Sequence, residues 1–262
     1  MTDDIILMQS EAGVATITLN RPDTHNAFDE HMIAALCGKL DALSIESNIY
    51  AVVLRGNGKS FSAGADLNWM KRAAGFSEVQ NKADALVLAD MLNRLATLPL
   101  VTIACVQGAA MGGGMGLVSC CDIVIADKDA LFALSEVKLG LIPATIAPYV
   151  LRALGERHSR RYFQSGERFN GQRAYDIGFV HEVTSGADDM EARLQTLLKS
   201  LAFNGPQAMR NSKKLCLDFV GQPITADVRD DTAARIARIR AGGEAQEGLN
   251  AFLEKRKAAW VK

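Results

Sequence analysis

Three short segments hold residue types that could do chemistry together. Phe61-Ser62-Ala63-Gly64-Ala65-Asp66-Leu67 and Gln107-Gly108-Ala109-Ala110-Met111-Gly112-Gly113-Gly114-Met115-Gly116 are rich in glycine and alanine, and each follows a hydrophobic run. Small residues let the main chain approach a ligand closely. The second segment runs into an apolar stretch whose helix would begin near Gly113, so its unpaired N–H groups and positive dipole end would face whatever lies in the turn. Two such turns, converging, would supply a pair of N–H donors for a developing oxyanion. The same glycines would equally serve close packing of a helix on a strand, and both readings stay open at this point. The third segment, Phe132 to Pro143, carries Glu136 among apolar neighbours. Burial there would raise its pKa and suit it to acid–base work. Exposed at a helix N-terminus, it would pair instead with Lys138 or with the dipole.

The elements that position these segments are readable from periodicity. Val14 to Leu19 alternates as a strand does. Ala51 to Arg55, Val101 to Val106 and Asp122 to Ala126 are Val/Ile-rich runs that suit strands buried on both faces. Helical patterns run from about Asp29 to Leu43, with Asp29 as N-cap, and from about Ser77 to Leu98, with Ser77 as cap and Pro99 as stop. Strands alternating with helices imply crossover units in an α/β body. Beyond about residue 185 the pattern changes to amphipathic helices: Asp188 to Phe203, Pro206 to Phe219, Thr225 to Arg240 and Glu244 to Lys257. Residues 1–190 are expected to form the core, and residues 191–262 a helical region for packing and oligomerisation.

Composition narrows the function classes. Hydrophobic residues make up 48% of the 262 and charged residues 23%, which excludes disorder for the bulk of the chain. Twenty-nine basic residues balance 30 acidic ones, so no general pull toward nucleic acid or an anionic membrane is expected. Leu95 to Cys121 lacks charge, but Pro99, Gln107 and five glycines make it a strand, a turn and a helix rather than a membrane span. The five cysteines (Cys37, Cys105, Cys120, Cys121, Cys216) lack ligand spacing and read as buried free thiols of a reducing compartment. The acidic start Met1-Thr2-Asp3-Asp4 is unlike a secretory signal, so a cytoplasmic location is expected. Gly58-Lys59-Ser60 fails as a phosphate loop because Val53 stands where glycine is needed. The 112–116 cluster fails the dinucleotide pattern at Leu117. Metal-binding and nucleophile-elbow motifs are absent.

Taken with Asn20-Arg21-Pro22, Asn26-Ala27 and Gly171 to Val180, the three segments resemble the crotonase superfamily, the enoyl-CoA hydratase/isomerase family. The resemblance covers nearly the whole chain, and its specificity lies in the order and spacing of the motifs. It implies an α/β fold: a spiral of ββα units with a C-terminal helical region, assembled as a homotrimer or a dimer of trimers. It also implies a coenzyme A thioester as substrate, with no separate cofactor and no metal. The N–H groups of Ala65 and Gly113 match the oxyanion hole. Ala27, Ala63, Gly64, Asp66 and Leu67 match positions along the path of the coenzyme A adenine and pantetheine, and Gly112 and Gly116 complete the substrate-binding set. Glu136 matches one of two glutamates that share a water in hydratases of the family. The other falls at Gly116, so one carboxylate is missing. Isomerase chemistry, with Glu136 as single proton shuttle, is the alternative to hydration, and a silent acyl-CoA-binding subunit is a third. The stretches Gly64 to Lys71 and Ser135 to Ala144 look like bacterial methylglutaconyl-CoA hydratases, whose substrates carry a distal carboxylate. Lys71, Arg72 and Lys138 are candidate partners for that carboxylate.

Overall fold

The structure, a computed structural model, describes residues 4–261. Its main sheet has six strands in the order β1-β2-β3-β4-β6-β9: β1 Ile6–Glu11, β2 Val14–Leu19, β3 Ala51–Gly56, β4 Val101–Val106, β6 Ile123–Asp127 and β9 Glu182–Thr184. A smaller sheet is formed by β5 Ala109–Met111, β7 Leu131–Ala133 and β8 Phe169–Asn170. Only the β1–β2 hairpin and the β7–β8 pair are antiparallel among the described residues. Ala51, Val52, Val53 and Leu54 of β3 are all buried, as befits a strand covered on both faces. In β2 the buried residues alternate, and Ala15, Ile17 and Leu19 face the core.

Helix α1 (Glu30–Ser44) links β2 to β3, and α2 (Leu67–Ala73) with α3 (Glu78–Thr97) links β3 to β4. Then β4, β5 and α4 (Gly113–Cys120) form one ββα turn, and β6, β7 and α5 (Ala147–Ser165) form the next. Each turn gives one strand to the large sheet and one to the small. At the turn before them, Ser62 makes an isolated parallel bridge with Ala110 and so occupies the small-sheet position after β3. The result is an α/β spiral. Asp29 caps α1 by accepting from the His31 and Met32 N–H groups, and Ser77 with Gln80 forms a capping box on α3.

The core follows the first of two compact units, which runs to Leu194. One part of it is aromatic. Phe132 on β7 packs 5.6 Å from Phe169 and edge-on to Phe179 at 5.3 Å, and Tyr162 lies 4.2 Å from Phe169. The second unit, from Gln195, is helical. It contains the end of α7 (Ala187–Ala202), α8 (Pro206–Phe219), α9 (Ala226–Arg240) and α10 (Gly243–Leu253), with α6 (Gly171–Asp176) lying earlier, in the first unit. Within the second unit Glu244 accepts from the Gln207 and Ala208 N–H groups at the start of α8, and the Trp260 indole donates to the Phe203 carbonyl at 3.1 Å.

Some boundaries differ from the sequence reading. Asp122 is not the first residue of β6. Its carboxylate instead accepts from the Thr102 N–H and hydroxyl, tying the turn to β4. The last helix stops at Leu253 rather than Lys257, because Lys255 takes φ +56° and the Arg256 N–H turns back to the Ala251 carbonyl. The segment from Gln107 to Gly116 is not a simple turn, since β5 lies inside it. Among the thiols, Cys216 is exposed. No helix of the described residues is long and apolar enough to cross a membrane. Phe132 anchors the strand that leads to Glu136. Phe132→Ala should therefore destabilise the chain by about 3–5 kcal/mol in denaturant titration, the range for a fully buried aromatic.

Candidate active site

The two glycine-rich segments converge because the strands before them are parallel neighbours. Ala51 sits beside Val101 and Leu54 beside Ala104. Past the strand ends the chains stay joined: Phe61 N–H donates to the Gln107 carbonyl, Ser62 N–H to Ala109, and Met111 N–H to Ser62. A side chain on Gly64, whose φ is +87°, would meet the Met111 carbonyl oxygen at 2.7 Å and the Gly113 nitrogen at 3.5 Å. The chain beside Ala65 is held from the other side by Phe28, whose N–H donates to Gly64 and whose carbonyl accepts from Asp66. Among the described residues, neither the Ala65 nor the Gly113 N–H donates a hydrogen bond. Gly113 is the first residue of α4, so its N–H also lies at the positive end of that helix.

The register of the small sheet brings Glu136 to the same place. Met111 pairs with Ala133, and the Gly112 N–H donates to the Ala133 carbonyl at 2.9 Å. Three residues after Ala133, Glu136 opens a short 3-10 helix, Glu136–Leu139. Its carboxylate turns toward α4: a Cβ on Gly112 would lie 2.9 Å from Glu136 Oε1. Gly112 also has φ +48° and ψ −117°, a conformation closed to other residues. Glu136 Oε2 is buried and has no hydrogen-bond partner. Burial pushes the carboxyl above the usual carboxylate range, against a smaller opposing pull from its own backbone N–H. Among the described residues Lys138 makes no ion pair with it, and the Lys138 Cε lies near Gly166 instead.

The remaining sequence candidates divide. Ala27 is buried, and its carbonyl accepts from Arg21 at 2.7 Å. Ala63 and Leu67 are exposed, Leu67 at 73%. The Asp66 carboxylate is committed to the fold. It caps α2 through the Asn68 and Trp69 N–H groups and accepts from Arg21 at 3.0 Å; these hydrogen bonds outweigh its burial and hold its pKa low. Any contact of Asp66 with a ligand is therefore left to its main chain. Arg72 is bound through both oxygens of Glu30, at 2.6 and 2.7 Å, and is no longer an open cation for a distal carboxylate. Lys71 and Lys138 are exposed. Gly116 is buried, against Ile146.

Four further residues frame the site: Arg21, Asn26 and Ser62 stand in the motifs of the resemblance without a role assigned to them, and Phe28 carries no sequence signal. Asn26 is fully buried with φ +54°; its amide donates to the Asn57 and Ser60 carbonyls, and its oxygen accepts from the Arg21 N–H. Ser62, also fully buried, donates to the Asn26 carbonyl and accepts from Gly64. Arg21 spans the caps of two helices, Asp29 and Asp66. The Phe28 ring covers Gly113, where a Cβ would fall 2.2 Å from its Cζ.

Two unpaired main-chain donors and a buried carboxylate, set in a spiral of ββα units, define the crotonase-like class of proteins. The family model described as enoyl-CoA hydratase/isomerase matches residues 9–262, and the chain belongs to that family. Its structure is similar to that of an enoyl-CoA hydratase from Shewanella pealeana, with 46% identity, a TM-score of 0.94, and coverage of 98% of this chain and 96% of that one. Pseudomonas aeruginosa AtuE is 35% identical, with a TM-score of 0.96 over 99% of this chain and all of its own. The 2,3-dehydroadipyl-CoA hydratase of Escherichia coli is 30% identical over 256 residues, 96% of each chain.

The buried carboxyl has a consequence for stability. A group whose pKa is raised by folding holds its proton more tightly in the folded state. Stability is then lost as pH rises from the ordinary carboxylate range through the raised value. Glu136→Gln should therefore melt higher than the parent chain at neutral pH, with the gain shrinking toward acid. Equal midpoints at neutral pH would show that the carboxylate is not strained by burial.

Proposed function

We propose that the chain is an enoyl-CoA hydratase that adds water reversibly to a branched glutaconyl-type thioester such as 3-methylglutaconyl-CoA, with Glu136 as its one catalytic carboxylate. The observations that carry this reading are the Ala65 and Gly113 N–H groups that donate no bond, the close approach of the Gly64 and Gly113 segments, and the Glu136 carboxylate beside Gly112 with its buried Oε2 unpartnered. The thioester oxygen sits between the two N–H donors. Glu136 takes a proton from water as the water oxygen bonds to C3, and the electron pair of the double bond moves onto the thioester as an enolate. The two N–H groups hold that charge. Glu136 then returns the proton to C2, so that H and OH have been added across the bond. Coenzyme A enters as part of the substrate, and the scheme calls for no further cofactor. Leu67, exposed beside the Ala65 turn, and the Ala63 to Gly64 main chain suit contact with the pantetheine and adenine.

The acyl chain is argued from likeness and charge. The Escherichia coli relative is named for a thioester of a dicarboxylic acid, and Lys71 and Lys138 remain exposed cations near the segments that resemble methylglutaconyl-CoA hydratases. A second reading, an enoyl-CoA isomerase, is favoured by the packing at Gly116, which leaves Glu136 without a second carboxylate on that helix face. Turnover in ¹⁸O-labelled water of 3-methylglutaconyl-CoA, crotonyl-CoA and a 3-enoyl-CoA separates the two. Heavy oxygen in the product is expected; a shifted double bond without it would replace hydration by isomerisation. Glu136→Gln should lower turnover at least about 10²-fold with thioester affinity retained. Ala65→Pro removes an N–H that bonds nothing in the fold and should cost about 10²–10³ in kcat, with circular dichroism showing that the fold is kept.

Assembly into trimers is part of the same proposal. The unit from Gln195 exposes Phe203, Val220, Ile224, Phe252 and Leu253, each at 59% or more, which is costly in water. Light scattering should give a trimer or hexamer, and Phe252→Asp should shift it toward monomer; a monomeric parent chain would end this part of the reading.

A further inference from the structure

Gly116 is a place where space, rather than backbone conformation, decides the residue. It lies one turn along α4 from Gly112, and its N–H donates to the Gly112 carbonyl at 3.0 Å. A Cβ at position 116 would fall 2.4 Å from Ile146 Cγ2 and 3.0 Å from Ile146 Cβ, with Leu92 Cδ2 at 3.8 Å. The obstacle is not the far end of a flexible chain. Ile146 is 3% exposed, its branch begins at Cβ, and its backbone is fixed at the entrance to α5, where its carbonyl accepts from the Tyr149 and Val150 N–H groups. Successive turns of α4 therefore meet Glu136 at Gly112 and Ile146 at Gly116.

We propose that Ile146 is a specificity-determining residue of the acyl site: it fills, with an apolar group, the space that a side chain at position 116 would need, and so confines the site to chemistry one carboxylate can carry. The inference rests on the enolate reading of the site given above. It makes Gly116 and Ile146 a coupled pair. A larger residue at 116 is shut out by Ile146, and Ile146 keeps its place only over glycine. The neighbour of Glu136 along the helix is then hydrocarbon, which neither holds a second water nor shares a proton.

Two sets of variants test this. In the first, melting midpoints are read without substrate for Gly116→Ala, Ile146→Ala and the pair. Gly116→Ala is expected to lower the midpoint, and Ile146→Ala in the same chain to recover most of that loss. A Gly116→Ala chain as stable as the parent, or one not rescued, overturns the coupling. In the second, Gly116→Glu is assayed with and without Ile146→Ala on crotonyl-CoA, 3-methylglutaconyl-CoA and a 3-enoyl-CoA. The double variant is expected to hydrate crotonyl-CoA about tenfold faster than Gly116→Glu alone, as a second acid–base group becomes usable. Equal rates, with the parent chain active on the panel, overturn the specificity role and leave the functional reading standing. A parent chain inert toward all three thioesters overturns the functional reading and the specificity role with it, while the melting cycle still decides the coupling.

Discussion

Everything near the site depends on how closely other segments can approach the first turn of α4. Four of its glycines each receive a different part of the chain. Gly112 takes the Glu136 carboxylate, Gly113 the Phe28 ring, Gly114 the Ser62 main chain and Gly116 the Ile146 side chain. In every case an added Cβ would come within 2.9 Å of the incoming atom. Side chains on this turn would force those segments to shift away from it. The glycines weaken α4 as a helix, since each costs roughly 1 kcal/mol against alanine. Burial of Met115, Leu117 and Val118 on the same helix offsets that.

A site of this kind needs donors without acceptors and an acceptor without a donor, and an interior ordinarily satisfies both. The surroundings make the exception tolerable. Asn26, Ser62 and Arg21 tie the 20–29 and 60–66 segments together through buried hydrogen bonds, so the main chain at Ala65 has nowhere to relax. The small sheet does the same for Glu136 by fixing Met111 against Ala133. Phe132, on the same β7 strand, is fixed in turn by aromatic packing on Phe169 and Phe179.

What could be read from the sequence, and what could not, follows from the range of the interactions. Strands β2 and β4, the caps at Asp29 and Ser77, and helix α8 are specified by neighbours within a few residues, and periodicity and turn chemistry reveal them. The placement of Glu136 beside Gly112 came through resemblance and not through spacing, because it depends on a pairing between residues some 22 positions apart. The short strands β5, β7 and β8 escaped for a related reason: three residues or fewer carry no period. Ile146 and Phe28 are ordinary apolar residues whose meaning lies only in which glycine they touch. Asp66 entered through its place in the resemblance and Arg72 through its charge; neither signal reveals the partner that occupies the side chain.

Because both proposed oxyanion donors are main-chain groups, their position is a property of the fold and survives most side-chain replacements. The chemistry performed on the enolate is then left to the few side chains that reach it. In this chain one of them is a carboxylate raised in pKa by burial, and the position next to it is closed by hydrocarbon. A carboxyl whose buried Oε2 has no partner exchanges protons with what is brought to it rather than with a network of its own. On the proposed function, the identity of the reaction therefore rests on which atom of the bound thioester, or of a water carried in with it, lies against Glu136, and the substrate would supply the second polar partner that the protein withholds.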